Sequence, residues 1–185
     1  MLKDPAGKIY GVLGYPVKHS LSPAMHNAAF KALEIPAEYR LFEIPPQDLD
    51  RFFASLVENN ILGLNVTIPY KEKVLTYLDK VSESAGLIGA VNTIKVSTQG
   101  LEGFNTDAEG FLKHLTEDLR FNPANKNIAI IGAGGAARAI AVSLAQAKPN
   151  TLNIYDVDAA RLSNLVDSLK ANFKTLTIHP ARSIA

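Results

Sequence analysis

The chain has 185 residues, and its 19 Lys and Arg residues nearly balance its 18 Asp and Glu residues, which gives a formal charge of +1 at neutral pH. This balance, with 47% hydrophobic and 20% charged residues, excludes a disordered or collagen-like chain and offers no general attraction to nucleic acid or to a membrane surface. The chain has no cysteine, and its histidines lack zinc-ligand spacing, so we expect a cytoplasmic protein without a metal site, secretory signal or membrane span.

The first part of the chain alternates between segments typical of strands and of helices. One helix is predicted to begin at Ser22-Pro23, and it carries Met25, Ala28, Ala29, Ala32 and Leu33 at helical spacing. This alternation predicts an α/β domain with a mostly parallel sheet. The predicted strands are 9–14, 39–44, 61–68, 90–96 and 101–104, and the predicted helices are 22–33, 46–59, 70–78, 81–88 and 107–119.

A polar, proline-bearing stretch at 122–125 precedes a second alternation. It predicts strands at 127–131, 151–155 and 175–178, with helices at 134–146 and 159–172 between them. We therefore divide the chain into a first domain, 1–121, and a second, 122–185. The second domain has the length of one half of a Rossmann-like dinucleotide-binding domain, so we expect this domain to be incomplete.

A glycine-rich motif follows the first strand of the second domain and opens the next helix. It fits the dinucleotide fingerprint: Gly132 makes the tight turn, Gly134 lets the backbone approach the pyrophosphate, and Ala137 allows close helix packing. The alternative is a glycine-rich turn with a purely structural role. The predicted cofactor-binding residues of this motif are Gly132, Ala133, Gly134, Gly135, Ala136 and Ala137.

The fingerprint also requires an acidic residue roughly twenty positions further on, where it binds the adenosine ribose. Asp156 occupies that place, and its charge would repel a 2′-phosphate, which favours NAD over NADP. Arg161 could still reach a phosphate, which leaves NADP open. Alternatively, Asp156 opens the turn into the next helix.

Polar side chains also cluster at predicted strand ends of the first domain. Ser20 and Ser22 lie two positions apart in an extended loop, so their hydroxyl groups point the same way and suit a carboxylate ligand, although Ser22 could instead cap the helix. Asn65 and Thr67 share one face of a strand end, just before Lys71. These spacings predict a binding site for a small polar molecule.

Lys71 is predicted to lie near a helix N-terminus, where the helix dipole disfavours a cation. Such a violation is expected at functional sites, although an exposed lysine in a solvated first turn is the alternative. Asn92 and Asp107 follow glycines at strand ends, where open parallel sheets collect ligands. Each also has a simpler interpretation, Asn92 as a turn residue and Asp107 as a helix cap.

Together these motifs resemble the shikimate dehydrogenase family, from Ile9 to about Leu169. The similarity lies in the segments Gly14 to Pro23, Asn65 to Lys71, Gly89 to Thr93, Asn105 to Asp107 and Gly132 to Ala137. The resemblance implies a substrate-binding domain followed by a nucleotide-binding domain. It further implies that Ser20 and Ser22 bind the substrate carboxylate, that Lys71 and Asp107 form the catalytic pair, and that ring hydroxyls are held by Asn65, Thr67, Asn92 and Asp107.

The implied reaction is the reversible, NAD(P)-dependent reduction of 3-dehydroshikimate to shikimate, on the route to chorismate and the aromatic amino acids. NADP-using members typically carry Asn-Arg-Thr where this chain has Asp156-Val157-Asp158, and this departure again favours NAD. Two alternatives stay open: an NAD-dependent quinate/shikimate dehydrogenase, and a truncated module that binds its ligand without turnover. We expect a small-molecule substrate as partner and either a monomer or a homodimer.

Overall fold

The computed structural model describes residues 7–181 and 183, and they form two compact units. The first unit takes the chain up to Ala85 together with Val91–Phe104. The second takes Gly86–Ala90 and the chain from Asn105 onward. Each unit has its own sheet and its own core.

The first unit is built on a mixed, mostly parallel sheet of six strands, in the order β2-β1-β3-β5-β6-β4. β1 pairs in parallel with β2 and β3, and β4 pairs in parallel with β6, whereas β5 runs antiparallel to β3 and β6. The predicted α/β class with a mostly parallel sheet is therefore confirmed. The strands are β1 Lys8–Gly14, β2 Ala37–Glu43, β3 Ile61–Val66, β4 Lys80–Val81, β5 Thr93–Ser97 and β6 Gly100–Phe104.

The helices beside this sheet are shorter than the sequence predicts. α1 spans Ser22–Ala32 and α3 spans Glu83–Ile88. The helix predicted at 46–59 is a 3₁₀ turn, Pro46–Asp48, followed by α2, Leu49–Ala54. It ends there because the Ser55 hydroxyl and amide both bond to the carbonyl oxygen of Phe52, which tightens the last turn. The helix predicted at 70–78 is a 3₁₀ segment, Lys73–Tyr77.

α1 is confirmed as a helix, but the spacing that predicted it does not mark its buried face. Met25 is 61% exposed and Leu33 is 69% exposed, and the alanines between them face outward too. Instead, His26, Asn27 and Phe30 are partly buried; His26 stacks on Tyr39, and Phe30 packs against the small core that contains Tyr39. Contacts with Tyr39 and its small core therefore mark the buried face of α1, and the apolar spacing does not.

The second unit contains a three-stranded parallel sheet in the order β7-β8-β9. Its core combines Ile130, Leu152, Ile154 and Ile178 from the strands with apolar residues of the helices. Ala108, Phe111 and Leu115 pack against that core, so residues 105–121 belong by packing to the second unit. The functional boundary at 121/122 stays a prediction.

The elements of the second unit are α4 Asp107–Lys113, a π-helical turn His114–Asp118, β7 Asn127–Ile131, α5 Gly135–Gln146, β8 Thr151–Tyr155, α6 Ala159–Asn172 and β9 Thr177–Pro180.

The described residues meet neither the requirements for a membrane-spanning helix nor those for a metal site. Within 7–181 and 183, the helices are too short or too polar to cross a bilayer. The same residues contain no group of three or more His, Cys, Asp or Glu side chains arranged to hold a metal ion.

Candidate functional site

The loop after β1 brings the two predicted serines together. The Ser20 hydroxyl lies 3.1 Å from the Ser22 hydroxyl and also accepts a bond of 3.3 Å from the Ser22 amide. The cap residue of α1 is Leu21, without a side-chain cap bond, so Ser22 lies inside the first turn and is not the cap. Two adjacent, half-buried hydroxyl groups can both donate to one carboxylate.

Glu43, which the sequence analysis missed, holds this loop from the neighbouring strand β2. Its Oε2 accepts bonds of 2.9 and 3.0 Å from the amides of Val17 and Lys18. Lys18 Nζ lies 3.4 Å from Oε1. The pKa of the Glu43 carboxyl is lowered from its usual range, first by the bond from the Val17 amide, with further contributions from Lys18. A carboxylate at the end of a strand beside a proline-bearing loop is the signal that could have revealed this contact.

At the end of β3, Asn65 belongs to a row of hydrogen-bonded side chains. The Tyr39 hydroxyl donates to Asn65 Oδ1 over 2.7 Å, and Asn65 Nδ2 donates to the Thr93 hydroxyl over 3.4 Å. The Thr93 hydroxyl in turn donates to Asn92 Oδ1 over 2.9 Å. Two predicted ligand residues, Asn65 and Asn92, are thus joined through Thr93, and neither Thr93 nor Tyr39 was predicted.

Thr67 follows β3 and lies close to the β1 strand end. Its amide donates to the Leu13 carbonyl over 2.9 Å, and a Cβ added at Gly14 would lie only 2.6 Å from the Thr67 methyl group. Gly14 therefore leaves the space that Thr67 occupies. This packing fixes the position of Thr67 relative to the loop that carries the serines.

Lys71 is positioned by its backbone and by its neighbour in the chain. Its carbonyl oxygen accepts a bond of 2.7 Å from the Val91 amide, next to Asn92. Tyr70 is 1% exposed, and its hydroxyl donates to the Ile44 carbonyl over 2.6 Å. Lys71 itself is half-buried and precedes the 3₁₀ segment, so it is not in the first turn of an α-helix. The argument from the helix dipole was therefore wrong.

In the second unit, Asn105 positions the start of α4. Asn105 is 8% exposed; its Nδ2 donates to the Ala90 carbonyl over 2.9 Å, and its Oδ1 accepts a bond of 3.0 Å from the Asp107 amide. Thr106 is the cap residue of α4, so Asp107 is the first helical residue and not the cap. Lys71 and Asp107 belong to different units.

The glycine motif forms a tight turn between β7 and α5. Gly132 has φ of +115°, which favours glycine, and its amide donates to the Tyr155 carbonyl over 2.7 Å. Gly134 is the extended cap residue of α5, and a Cβ added there would meet nothing within 4 Å. The backbone is therefore accessible at Gly134, as a helix N-terminus that receives a phosphate requires.

Asp156 is tied to this turn by two backbone amides. Its Oδ2 accepts from Ala133 over 2.6 Å and its Oδ1 from Asp158 over 2.7 Å. These bonds, the one from Asp158 first, lower the pKa of Asp156 from its usual value. The Ala133 amide is therefore already bonded within the protein. Asp156 does organise a turn, but the cap of α6 is Asp158.

Asp158 Oδ1 accepts bonds of 3.0 and 3.1 Å from the amides of Ala160 and Arg161. The Arg161 side chain returns to Asp158, with its Nε 3.4 Å from Oδ2. Val157 is 89% exposed between the two carboxylates. The segment after β8 therefore presents an acidic turn with one arginine beside it.

The chain is similar to known proteins in sequence and in structure. Residues 12–94 match the family described as shikimate dehydrogenase substrate binding domain. The shikimate dehydrogenase (NADP(+)) of Methanopyrus kandleri is 45% identical over 167 residues, which are 90% of this chain and 58% of that protein. The chain belongs to the shikimate dehydrogenase family.

Solved structures of shikimate dehydrogenases share the fold. That of Aquifex aeolicus superposes with a TM-score of 0.84 and 35% identity, over 96% of this chain and 64% of that one. The enzyme of Listeria monocytogenes, crystallised with shikimate and NAD, gives a TM-score of 0.83 and 31% identity, over 95% of this chain and 61% of that one. The chain thus spans little more than half the length of its curated relatives.

Proposed function

We propose that this chain carries the substrate-binding domain and the first nucleotide-binding half of a shikimate dehydrogenase, which interconverts shikimate and 3-dehydroshikimate. The observation that carries the proposal is the hydrogen-bonded row Asn65, Thr93 and Asn92, which lies beside the backbone of Lys71 in the first unit. Amide groups in such a row can hold ring hydroxyls, and the paired hydroxyls of Ser20 and Ser22 can hold a carboxylate. Shikimate carries both kinds of group.

Lys71 is the proposed general acid. When bound, the nicotinamide cofactor supplies the hydride, which adds to the ketone carbon and leaves negative charge on its oxygen. The Lys71 ammonium stabilises that charge and gives the oxygen its proton, and in the reverse direction the neutral amine takes the proton back. We propose that Asp107 orients the ammonium group and shares its hydrogen-bond network.

For the cofactor we propose NADP(H). The name of the Methanopyrus relative supports NADP, whereas the Listeria crystal structure supports NAD. The Asp156 charge still opposes a 2′-phosphate, but both of its oxygens already accept backbone bonds, so the carboxylate has less capacity left to bind a ribose hydroxyl of NAD. Arg161, bound at Asp158, is the cation that would face a 2′-phosphate. The open backbone at Gly134 fits the pyrophosphate of either cofactor.

The test is to follow the absorbance of the reduced nicotinamide after shikimate is added with NADP⁺ or with NAD⁺, and then after quinate replaces shikimate. The proposal expects shikimate-dependent reduction of NADP⁺, with a higher kcat/KM than for NAD⁺. Reduction with quinate and NAD⁺ alone would support a quinate/shikimate dehydrogenase instead.

One observation favours a second candidate, a module that binds shikimate without turnover. The chain spans 54% to 60% of the length of three of its curated relatives. Calorimetry distinguishes the two candidates. Shikimate binding without any cofactor reduction would support the binding module, and measurable turnover would exclude it.

We also propose the cytoplasmic location that the composition favours. The oligomeric state, monomer or homodimer, stays a prediction.

A further inference from the structure

Tyr39, on β2, is held from several sides. The Asn27 side chain donates to the Tyr39 carbonyl over 2.9 Å and accepts from the Tyr39 amide over 2.8 Å. The His26 ring stacks on the Tyr39 ring with centroids 4.2 Å apart and planes 15° from parallel. Tyr39 is 5% exposed. Backbone and ring are both fixed, so the position of the phenol oxygen is fixed as well.

That hydroxyl donates to Asn65 Oδ1 over 2.7 Å. Burial raises the pKa of Tyr39 to about 12, so the phenol keeps its proton and stays a donor at neutral pH. The two ends of an amide side chain are chemically different, and a flipped Asn65 would turn its NH₂ group toward the phenol proton. The NH₂ group would then donate to the phenol oxygen, and the proton of this buried hydroxyl would lose the acceptor that Asn65 Oδ1 provides, which is unfavourable.

The orientation of Asn65 extends to a second amide. With Oδ1 on Tyr39, Asn65 Nδ2 donates to the Thr93 hydroxyl, and Thr93 uses its own proton on Asn92 Oδ1. Each hydroxyl in the row has one proton, so the direction of the first bond sets that of the next. Both amide oxygens accept from the protein, and each NH₂ group carries two N–H donors, of which Asn65 gives one to Thr93.

We propose that Tyr39 is a positioning residue that fixes the amide orientation of Asn65 and, through Thr93, that of Asn92, so that both amides offer N–H donors to oxygen atoms of the ligand. The inference rests on the proposed function for the identity of that ligand. A hydroxyl and a ketone oxygen both accept hydrogen bonds, so fixed N–H donors can bind the alcohol and the ketone forms of one ring alike. Such donors suit a reversible dehydrogenase.

Calorimetric titration with shikimate tests whether Tyr39 contributes to ligand binding. Tyr39→Phe keeps the ring that stacks on His26 and removes only the donor, and we expect about tenfold weaker binding. The matched control is Tyr10→Phe. Tyr10 and Tyr39 line one cavity of about 430 Å³, but Tyr10 is not part of the hydrogen-bonded row. We expect Tyr10→Phe to change the shikimate affinity by less than about twofold. In an Asn65→Ala background, Tyr39→Phe should change the affinity by less than about twofold, because it acts through Asn65. Additive losses in the double variant would overturn the proposal.

A second measurement needs no ligand. In isotope-labelled protein, Tyr39→Phe should shift the side-chain amide resonances of Asn92, which Tyr39 itself does not bond, while Tyr10→Phe should leave them in place. Unshifted Asn92 resonances would overturn the positioning role. If they shift but the wild-type chain does not bind shikimate, the positioning role stands and the proposed function is wrong.

Discussion

Asp156 Oδ2 accepts a 2.6 Å hydrogen bond from the Ala133 amide, which ties the end of β8 to the glycine turn after β7. The same carboxylate accepts from the Asp158 amide, so one side chain organises both loops at this edge of the second sheet. A residue expected to contact the cofactor is therefore also part of the turn that would receive it.

Asp156→Asn tests how the charge affects the choice of cofactor. Removing a negative charge from this turn should raise the affinity for NADP⁺ relative to NAD⁺ by on the order of tenfold, because repulsion of the 2′-phosphate is relieved. Calorimetric titration with each nucleotide measures this ratio. Asp167→Asn is the control, since it removes the same charge from an exposed position of α6 and leaves the Asp158–Arg161 pair intact. An equal ratio in both variants would contradict a specific role for Asp156.

Two glycines of the turn should respond differently to alanine. At Gly132, φ is +115°, so Gly132→Ala should lower the free energy of unfolding by about 1 kcal/mol or more. At Gly134 a Cβ meets nothing within 4 Å, so Gly134→Ala should leave stability nearly unchanged and instead weaken nucleotide binding, because the methyl group obstructs the backbone. Thermal unfolding and nucleotide titration of both variants separate the two effects. Normal nucleotide binding by Gly134→Ala would mean that the fingerprint is only structural.

Glu43 should make the first unit sensitive to acid. Its pKa is lowered in the folded state, so its stabilising contribution is fully present above its unfolded pKa and is lost as the pH falls through the folded pKa. Glu43→Gln should therefore be less stable than wild type at neutral pH, and the difference should shrink as the pH falls below about 4.5. Denaturant unfolding across this pH range measures it.

The same substitution should weaken shikimate binding, because Glu43 holds the loop that carries Ser20. Glu38→Gln is the control for affinity: Glu38 lies on the same strand and pairs with the exposed side chain of Arg40. A stability difference that is independent of pH would refute the assigned role of the Glu43 carboxylate.

Lys71→Ala tests the chemistry of the proposed reaction. Loss of the general acid should lower turnover by roughly 10²-fold or more, while shikimate affinity stays within about tenfold. The comparison requires steady-state kinetics together with calorimetric binding on the same preparations. Parallel losses in affinity and rate would make Lys71 a ligand contact instead of the acid.

Local patterns predicted most strands and helices, because strand alternation and the Ser22-Pro23 helix start are short-range signals. The buried face of α1 was not predictable in this way, since it depends on Tyr39, a residue on another element that stacks on His26 and bonds Asn27. Similarly, the early end of α2 depends on a bond within its last turn that the apolar spacing does not reveal.

For the candidate site, too, local sequence patterns predicted only part of the arrangement. Motifs identified Asn65 and Asn92 as polar residues near strand ends, but the bonds that join them pass through Thr93 and begin at Tyr39, which is distant in sequence. The cap of α6 was not predictable from the sequence either, because Asp156 and Asp158 are chemically identical and only their positions in the fold distinguish them.

The central claim is that the first unit binds shikimate through the hydrogen-bonded row Asn65, Thr93 and Asn92. Calorimetric titration of shikimate into the wild-type chain and into Asn65→Ala tests this claim most directly. We predict saturable binding of one shikimate per chain, and an affinity at least about tenfold lower in the variant. Titration heats of the wild type that equal those of dilution, or equal affinities in the two proteins, would contradict the account.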